Sequence, residues 1–338
     1  MCQLPFNDLK STLLSKMLGL KINLNYNIRE ANRPEKSYLK RKHFMKVSRK
    51  IRLMSCCCLA IFTLVACGTN QNQSTEKQNS STTKLVSSDK ESYKGTYSNL
   101  NSKESAEEVR KALAAHLDKD SVDAFFNLVN DYNNTVGSVG LTGDFSTFTK
   151  KDYDVEKISN LWAPKKGDFV GTNCRINSYC LLKNSIEIPK LEKDDSLLFV
   201  DNDAIDKGKV FGAEDKDAFD ILFSRVKTQA TTDVKVHAAK MEQFLSQFKF
   251  NENARMLSVV VHDDLDGQSL FIGHVGILVP SEDGFLFVEK LTFEEPYQAI
   301  KFATKEDCYK YLDTKYENYT GEGLANPFIM DNDKWVQL

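Results

Sequence analysis

Three side chains have the types and the order needed for thiol chemistry on an acyl group: Cys174, His274 and Glu289. Cysteine attacks as its thiolate, so it needs an imidazole to take the proton, and the imidazole needs an acceptor to fix its tautomer. Cys174 ends the run Asp168-Phe169-Val170-Gly171-Thr172-Asn173-Cys174, where a loop should become a helix. The amides and positive dipole end of a helix start favour a thiolate and could bind an oxyanion. His274 lies in Gly273-His274-Val275-Gly276-Ile277, a polar ring inside an apolar strand. Glu289 sits in the next apolar run, and strand parity puts it on one face with Phe285 and Phe287. Asn173 and Arg175 flank the thiol and are candidates for orienting substrate or an oxyanion. Each residue also has a plainer reading. Cys174 alone reads as a small buried side chain, His274 as a satisfied core histidine, Glu289 as an edge-strand carboxylate, and Arg175 as a surface charge or salt-bridge partner.

The elements that must position these groups follow from hydrophobic periodicity. Residues 105–117 place Ala106, Val109, Leu113 and Leu117 on one helical face, with acids early. A second helix is expected at 122–132, a Gly-rich turn at 136–143 and a short helix at 155–162. A helix is expected again from Cys174 to Lys183, and two more at 215–226 and 233–248, within a helical insertion spanning about 194–254. After Asn253 the character changes. Residues 256–261, 269–279 and 284–291 are rich in β-branched and aromatic residues and broken by polar turns, which predicts three consecutive antiparallel strands. A last helix is expected at 305–316. Helices first and a compact antiparallel sheet later describe a single α+β domain over 93–338.

The order of cysteine at a helix start, histidine on a sheet strand and a polar group on the next strand resembles the papain-like cysteine peptidases of the NlpC type. The resemblance covers about 170–190 and 255–292. It implies a papain-like core, with Cys174 as nucleophile, His274 as general base and Glu289 as the group that orients the histidine. The chain departs from the usual Asp-Cys-Ser start, having Asn173-Cys174-Arg175, and its cysteine-to-histidine spacing is long.

A second resemblance concerns the start of the chain. Leu64-Val65-Ala66-Cys67-Gly68 resembles a bacterial lipobox, at which a prolipoprotein is lipidated on cysteine and cut just before it. Lys46, Arg49, Lys50 and Arg52 form a basic segment before an apolar stretch from Met54 to Ala66. That stretch is too short to span a bilayer, for which about 20 residues are needed, and suits a signal segment at 45–66. Residues 1–44 are then expected to be an upstream extension, with Met45 as initiator. The mature protein is expected to begin at a lipidated Cys67 and to stand on the outer face of the cell membrane, carried by a polar tether at 67–92. A short buried helix that happens to end in Ala-Cys-Gly explains the stretch less completely. From the lipobox to Met330 the chain also resembles a family of Gram-positive, streptococcus-like lipoproteins of unknown function (domain of unknown function 4300). The stretches carrying this include 168–175, Val259-Val260-Val261-His262-Asp263-Asp264, 273–277 and 293–302.

Charge and cysteine usage narrow the function classes. Residues 1–66 carry 13 basic and 3 acidic side chains, or +10; the whole chain is −2, which leaves −12 for residues 67–338. An acidic domain is a poor partner for nucleic acid. It also lacks a polybasic patch to add membrane binding, so the lipid is the expected membrane tie. Of eight cysteines only Cys174, Cys180 and Cys308 fall in the folded part. That is no disulfide framework, leaving one pair with a spare thiol or three free thiols. Cys180 reads as core and Cys308 as semi-exposed. His262-Asp263-Asp264-Leu265-Asp266-Gly267 lacks the ligand order of a calcium loop and reads as a hairpin turn. Asp201-Asn202-Asp203 and Asp331-Asn332-Asp333 read as turns or helix caps. No spacing suggests zinc and no phosphate loop is present, so no cofactor is implied. The expected activity is thiol-dependent hydrolysis or transfer at an amide bond by a monomer, with cell-wall peptide as substrate. A non-catalytic lipoprotein binding peptide or wall fragments is the competing reading.

Overall fold

The apolar runs after Asn253 form the centre of the molecule. In a computed structural model, which describes residues 95–148 and 152–338, they become β4 (Arg255–Asp263), β5 (Ser269–Ser281) and β6 (Gly284–Lys290). The expected upstream extension at 1–44, signal segment at 45–66, Cys67 and the expected tether at 67–92 lie outside the described residues. Adjacent strands pair antiparallel through short hairpins, as the apolar runs broken by polar turns predicted. The sheet then grows with strands the sequence did not announce: β1 (Gly95–Ser98), β2 (Ser146–Thr147), β7 (Tyr297–Phe302), β8 (Phe328–Asp331) and β9 (Lys334–Val336). Its order is β2-β1-β7-β6-β5-β4-β8-β9, and a two-residue β3 (Val226–Lys227) adds to β5. Among the described residues nine strands, antiparallel throughout their pairings, and eight helices make an α+β architecture.

Both sheet faces are covered, which is why the central strands read as near-continuous apolar runs rather than strict alternation. One face buries Met256, Val260, Ile272, Val275, Ile277, Leu286 and Val288. They share a core with helices α1 (Lys103–Ala114), α2 (Lys119–Val136), α4 (Cys174–Leu182), α5 (Phe199–Gly208), α6 (Ala213–Leu222) and α7 (Val234–Leu245). Helix α3 (Val155–Lys166) adds Ile158 to that core. The other face, with Leu257, Val259, Leu278, Phe287, Ile300 and Phe302, is covered by α8 (Lys305–Tyr316) through Cys308, Tyr309, Tyr311, Leu312 and Tyr316. Cys308 is therefore fully buried, correcting the semi-exposed expectation. Cys180 is buried as expected, and all three cysteines of the domain are free thiols.

One irregularity in β5 bears on function. Val259 pairs His274 whereas Val260 pairs Ile272, so Gly273 is an extra residue in the ladder. Leu270 and Ile272 before it share a core with Val275, Ile277 and Val279 after it, which strict alternation would forbid. The bulge resets the parity and turns His274 to the face that carries Glu289, a usual role of bulges beside functional groups. Two residues on, Gly276 opposes Glu289. A Cβ there would lie 2.3 Å from the Phe287 ring and 2.8 Å from the Val288 carbonyl oxygen.

The polar hairpin turn expected at 262–267 joins β4 to β5, with Gly267 at φ 98°. His262 accepts from the Ala325 amide (3.1 Å) at Nδ1, which leaves Nε2 to donate to Gln268 (2.7 Å). Its ring is 4.3 Å from that of His237, another buried and satisfied histidine. Asp331-Asn332-Asp333 makes the β8–β9 turn, but residues 201–203 lie inside α5 rather than in a turn or cap.

Because Phe287 is walled in by the α8 aromatics, the Gly276 contact has little room to relax. Gly276→Ala should cost about 1–3 kcal/mol of unfolding free energy, read from urea titrations. An unchanged midpoint would mean that β5 and β6 can separate without loss.

Candidate active site

Helix α4 starts at Cys174 because Asn173 caps it. The extended Asn173 backbone lets its side-chain oxygen accept from the Ile176 amide at 3.1 Å. Its amide nitrogen donates to Asp201 Oδ1 at 2.7 Å, so the Asn173 side chain is occupied as a cap and a brace. Arg175 likewise makes a two-pronged pair with Asp201 (2.9 and 2.8 Å) and donates to the Ile272 carbonyl at 3.1 Å. The salt-bridge reading of Arg175 thus matches the geometry, and both flanking side chains hold α4 in place. Asn177 donates to Thr172 (2.9 Å) and to the Asn173 carbonyl (2.8 Å) and accepts from the Tyr297 hydroxyl (2.9 Å), pinning the helix start to β7. The first-turn amides that no carbonyl can reach then point from a fixed helix end carrying the thiol.

His274 and Glu289 meet diagonally across β5 and β6. His274 Nε2–H donates to Glu289 Oε2 at 2.5 Å, and the imidazole stacks on Tyr316 at 4.8 Å. With Nε2 fixed on a carboxylate, which can only accept, Nδ1 is left for the thiol. His274 and Cys174 lie close enough that each shifts the other's ionisation, the imidazole lowering the thiol and the thiol raising the imidazole. The structure therefore brings together all three residues singled out from sequence.

Glu289 has further partners that sequence reasoning missed. Gln298 Nε2 donates to its Oε1 at 3.1 Å, the Tyr311 hydroxyl donates to the same oxygen, and Lys315 Nζ lies 3.3 and 3.4 Å from the two oxygens. Lys315 also donates to Tyr311 at 2.6 Å. Tyr311 and Lys315 are one turn apart on α8, a spacing readable in sequence once that helix is assigned. Gln298 lies on an unannounced strand and carries no such signal.

The charges follow from these contacts. Burial alone would raise the Glu289 carboxyl, but the Lys315 charge, then His274 and Tyr311, hold it down to about 2. Burial would lower His274; Cys174 and Glu289 outweigh that and raise it. Burial would raise the Cys174 thiol; His274, then Arg175, bring it below its usual value. Cysteine and histidine shifted in opposite directions favour a thiolate–imidazolium pair at neutral pH. Cys180 shows the contrast, since burial pushes its thiol up to about 12. Among the described residues no cluster of three or more His, Cys, Asp or Glu could hold a metal ion.

These features define an α+β domain with a buried cysteine–histidine–carboxylate centre at a helix start. The chain belongs to the family described as Domain of unknown function (DUF4300), whose model matches residues 96–336. No curated protein and no solved structure matches the chain.

Two measurements check this electrostatic picture. Iodoacetamide should label Cys174 at pH values where an ordinary thiol is protonated, while Cys180 and Cys308 stay unlabelled in the native state. His274→Ala should abolish the early labelling; a Cys174 rate that follows an ordinary thiol would remove the couple. The second concerns stability. Glu289 is held near 2 against a usual 4.5, so its contribution is fully present above about 4.5 and is lost as pH falls towards 2. Urea titrations of Glu289→Gln should therefore show a weaker loss of stability between pH 5 and 3 than the parent shows.

Proposed function

We propose that this domain, on a papain-like core of the NlpC type, hydrolyses or transfers an acyl group at an amide bond of a peptide. The observation carrying this reading is the single imidazole placed between a buried ionised carboxylate and a thiol at a helix start. In the proposed cycle the Cys174 thiolate attacks the carbonyl carbon, and first-turn amides of α4 face the oxyanion. Imidazolium His274 gives its proton to the leaving amine as the carbon–nitrogen bond breaks, leaving a thioester on Cys174. Neutral His274 then takes a proton from water, or from an acceptor amine, as that nucleophile attacks the thioester. Collapse expels the thiolate and restores the pair. Glu289 stays ionised throughout and keeps the ring oriented.

The proposed setting is the outer face of a Gram-positive cell membrane, with the protein anchored by lipid on Cys67 and meeting wall peptide or other peptides there. That setting rests on the lipobox resemblance and on the polar tether. A second reading, a non-catalytic peptide-binding lipoprotein, draws support from burial, since Cys174 is 5% and His274 2% exposed.

Activity separates the two readings. Cys174→Ala should abolish release of amine from peptide amides while thermal unfolding is nearly unchanged; turnover surviving in that variant would exclude the thiol mechanism. For the parent, kcat/KM should rise as the Cys174 thiol ionises below its usual value. It should fall again as His274 loses its proton above its usual value.

A further inference from the structure

Next to the loop that delivers Cys174 lies a cavity of about 200 Å³, lined by Trp162, Ala163, Phe169, Val170 and Phe293 among others, with Glu294 also on its wall. Its floor is aromatic and aliphatic. Val170, four residues before Cys174, is 41% exposed, one of five large apolar side chains left exposed among the described residues.

Both walls are tied to the site. Trp162 Nε1 donates to the Phe169 carbonyl at 2.6 Å, fixing α3 against the loop. At Gly171, three residues before Cys174, a Cβ would lie 3.1 Å from the Phe293 carbonyl oxygen and 3.3 Å from the Trp162 ring. The opposite wall, 292–295, is held from below. The buried Lys290 Nζ donates to the carbonyls of Thr292 (2.8 Å), Phe293 (3.3 Å) and Glu295, and the Tyr132 hydroxyl donates to the Glu294 carbonyl at 2.6 Å. Asp168 is paired with Lys207 (3.2 Å), whereas the exposed Glu294 carboxylate accepts from the Thr292 hydroxyl (3.3 Å) and joins no ion pair among the described residues.

We propose that this cavity is a specificity subsite that takes one leucine- to phenylalanine-sized side chain of a peptide whose neighbouring residue is neutral or basic. Its volume suits a single side chain, its lining is apolar, and the Glu294 carboxylate at the rim repels an acidic neighbour. The inference rests on the peptide-acting reading of Cys174 and narrows its substrate class to peptides with a bulky apolar residue near the cleaved bond. Peptides built of alanine and acidic residues would then be poor substrates.

The test uses the full chain in detergent. The chain has two tryptophans, so Trp335→Phe leaves Trp162 as reporter. In a Cys174→Ala, Trp335→Phe background, capped alanine tripeptides with leucine or phenylalanine at one position are titrated against Trp162 fluorescence. The best bulky peptide should bind at least about tenfold tighter than the all-alanine one. Ala163→Phe, at an exposed helical position lining the cavity, should erase that preference. Glutamate beside the bulky residue should weaken binding, and Glu294→Gln should relieve the penalty. Equal affinity for all peptides, or a preference that survives Ala163→Phe, overturns the proposal. In the chain retaining Cys174, vinyl sulfones of the same peptides should label Cys174 in the same order. Preferential binding with no labelling by any vinyl sulfone would sink the hydrolase reading and keep the subsite. Labelling indifferent to side chain would keep the hydrolase reading and sink the subsite.

Discussion

The structure turns on one buried negative charge. The Glu289 carboxylate is removed from water between a sheet and a helix, a placement that is strongly unfavourable without partners. It is stable because four donors from three elements converge on it: His274 from β5, Gln298 from β7, and Tyr311 and Lys315 from α8. Each contact has a second effect. His274 is locked in one tautomer, α8 is registered against the sheet, and β7 is held beside β6. Removing the carboxylate would leave several donors unsatisfied at once, so fold and charge state are coupled at this residue.

That coupling explains the bulge at Gly273. A regular β5 could not put Leu270 and Ile272 in the same core as Val275 and Ile277 while aiming His274 at the opposite face. One extra residue satisfies both demands locally. The glycine opposite Glu289 is a separate accommodation, because the Phe287 ring occupies the space where a side chain at 276 would stand. The glycines around His274 are therefore set by geometry on either side of it rather than by flexibility.

How much was legible in sequence follows from the range of each interaction. The α4 start was readable because a cap is local, and β4 to β6 were readable because both their faces are apolar. The face that Glu289 shares with Phe285 and Phe287 followed from strand parity, but its meeting with His274 depends on the bulge, which left no pattern beyond a glycine. The short strands β1, β2, β8 and β9 were not readable, because two to four residues carry no usable period and form by pairing with a sheet already present. Strand β7 was passed over for a different reason: Gln298 and Lys301 interrupt its apolar run, and Gln298 is polar because it serves Glu289. Helix α5 was obscured by Asp201-Asn202-Asp203, which looks like turn chemistry. Asp201 is there to hold Asn173 and Arg175, a contact across 26 to 28 residues that no local rule would find.

These long-range braces bear on how the thiol is prepared. Asn173, Arg175 and Asn177 are all engaged by partners outside their own helix turn, and His274 is engaged by Glu289 and by the Tyr316 ring. Nothing in that set has to wait for a ligand. The thiol is lowered and the imidazole raised by groups already in contact, so the bias towards a charge-separated pair is built into the resting domain. Preorganisation of this kind is what makes a fixed dipole effective, since no reorganisation is needed when charge moves. It also divides labour within the molecule. The sheet and α8 fix the charges around Cys174 and His274, while the loops before Cys174 and after Lys290 contribute no group to that centre.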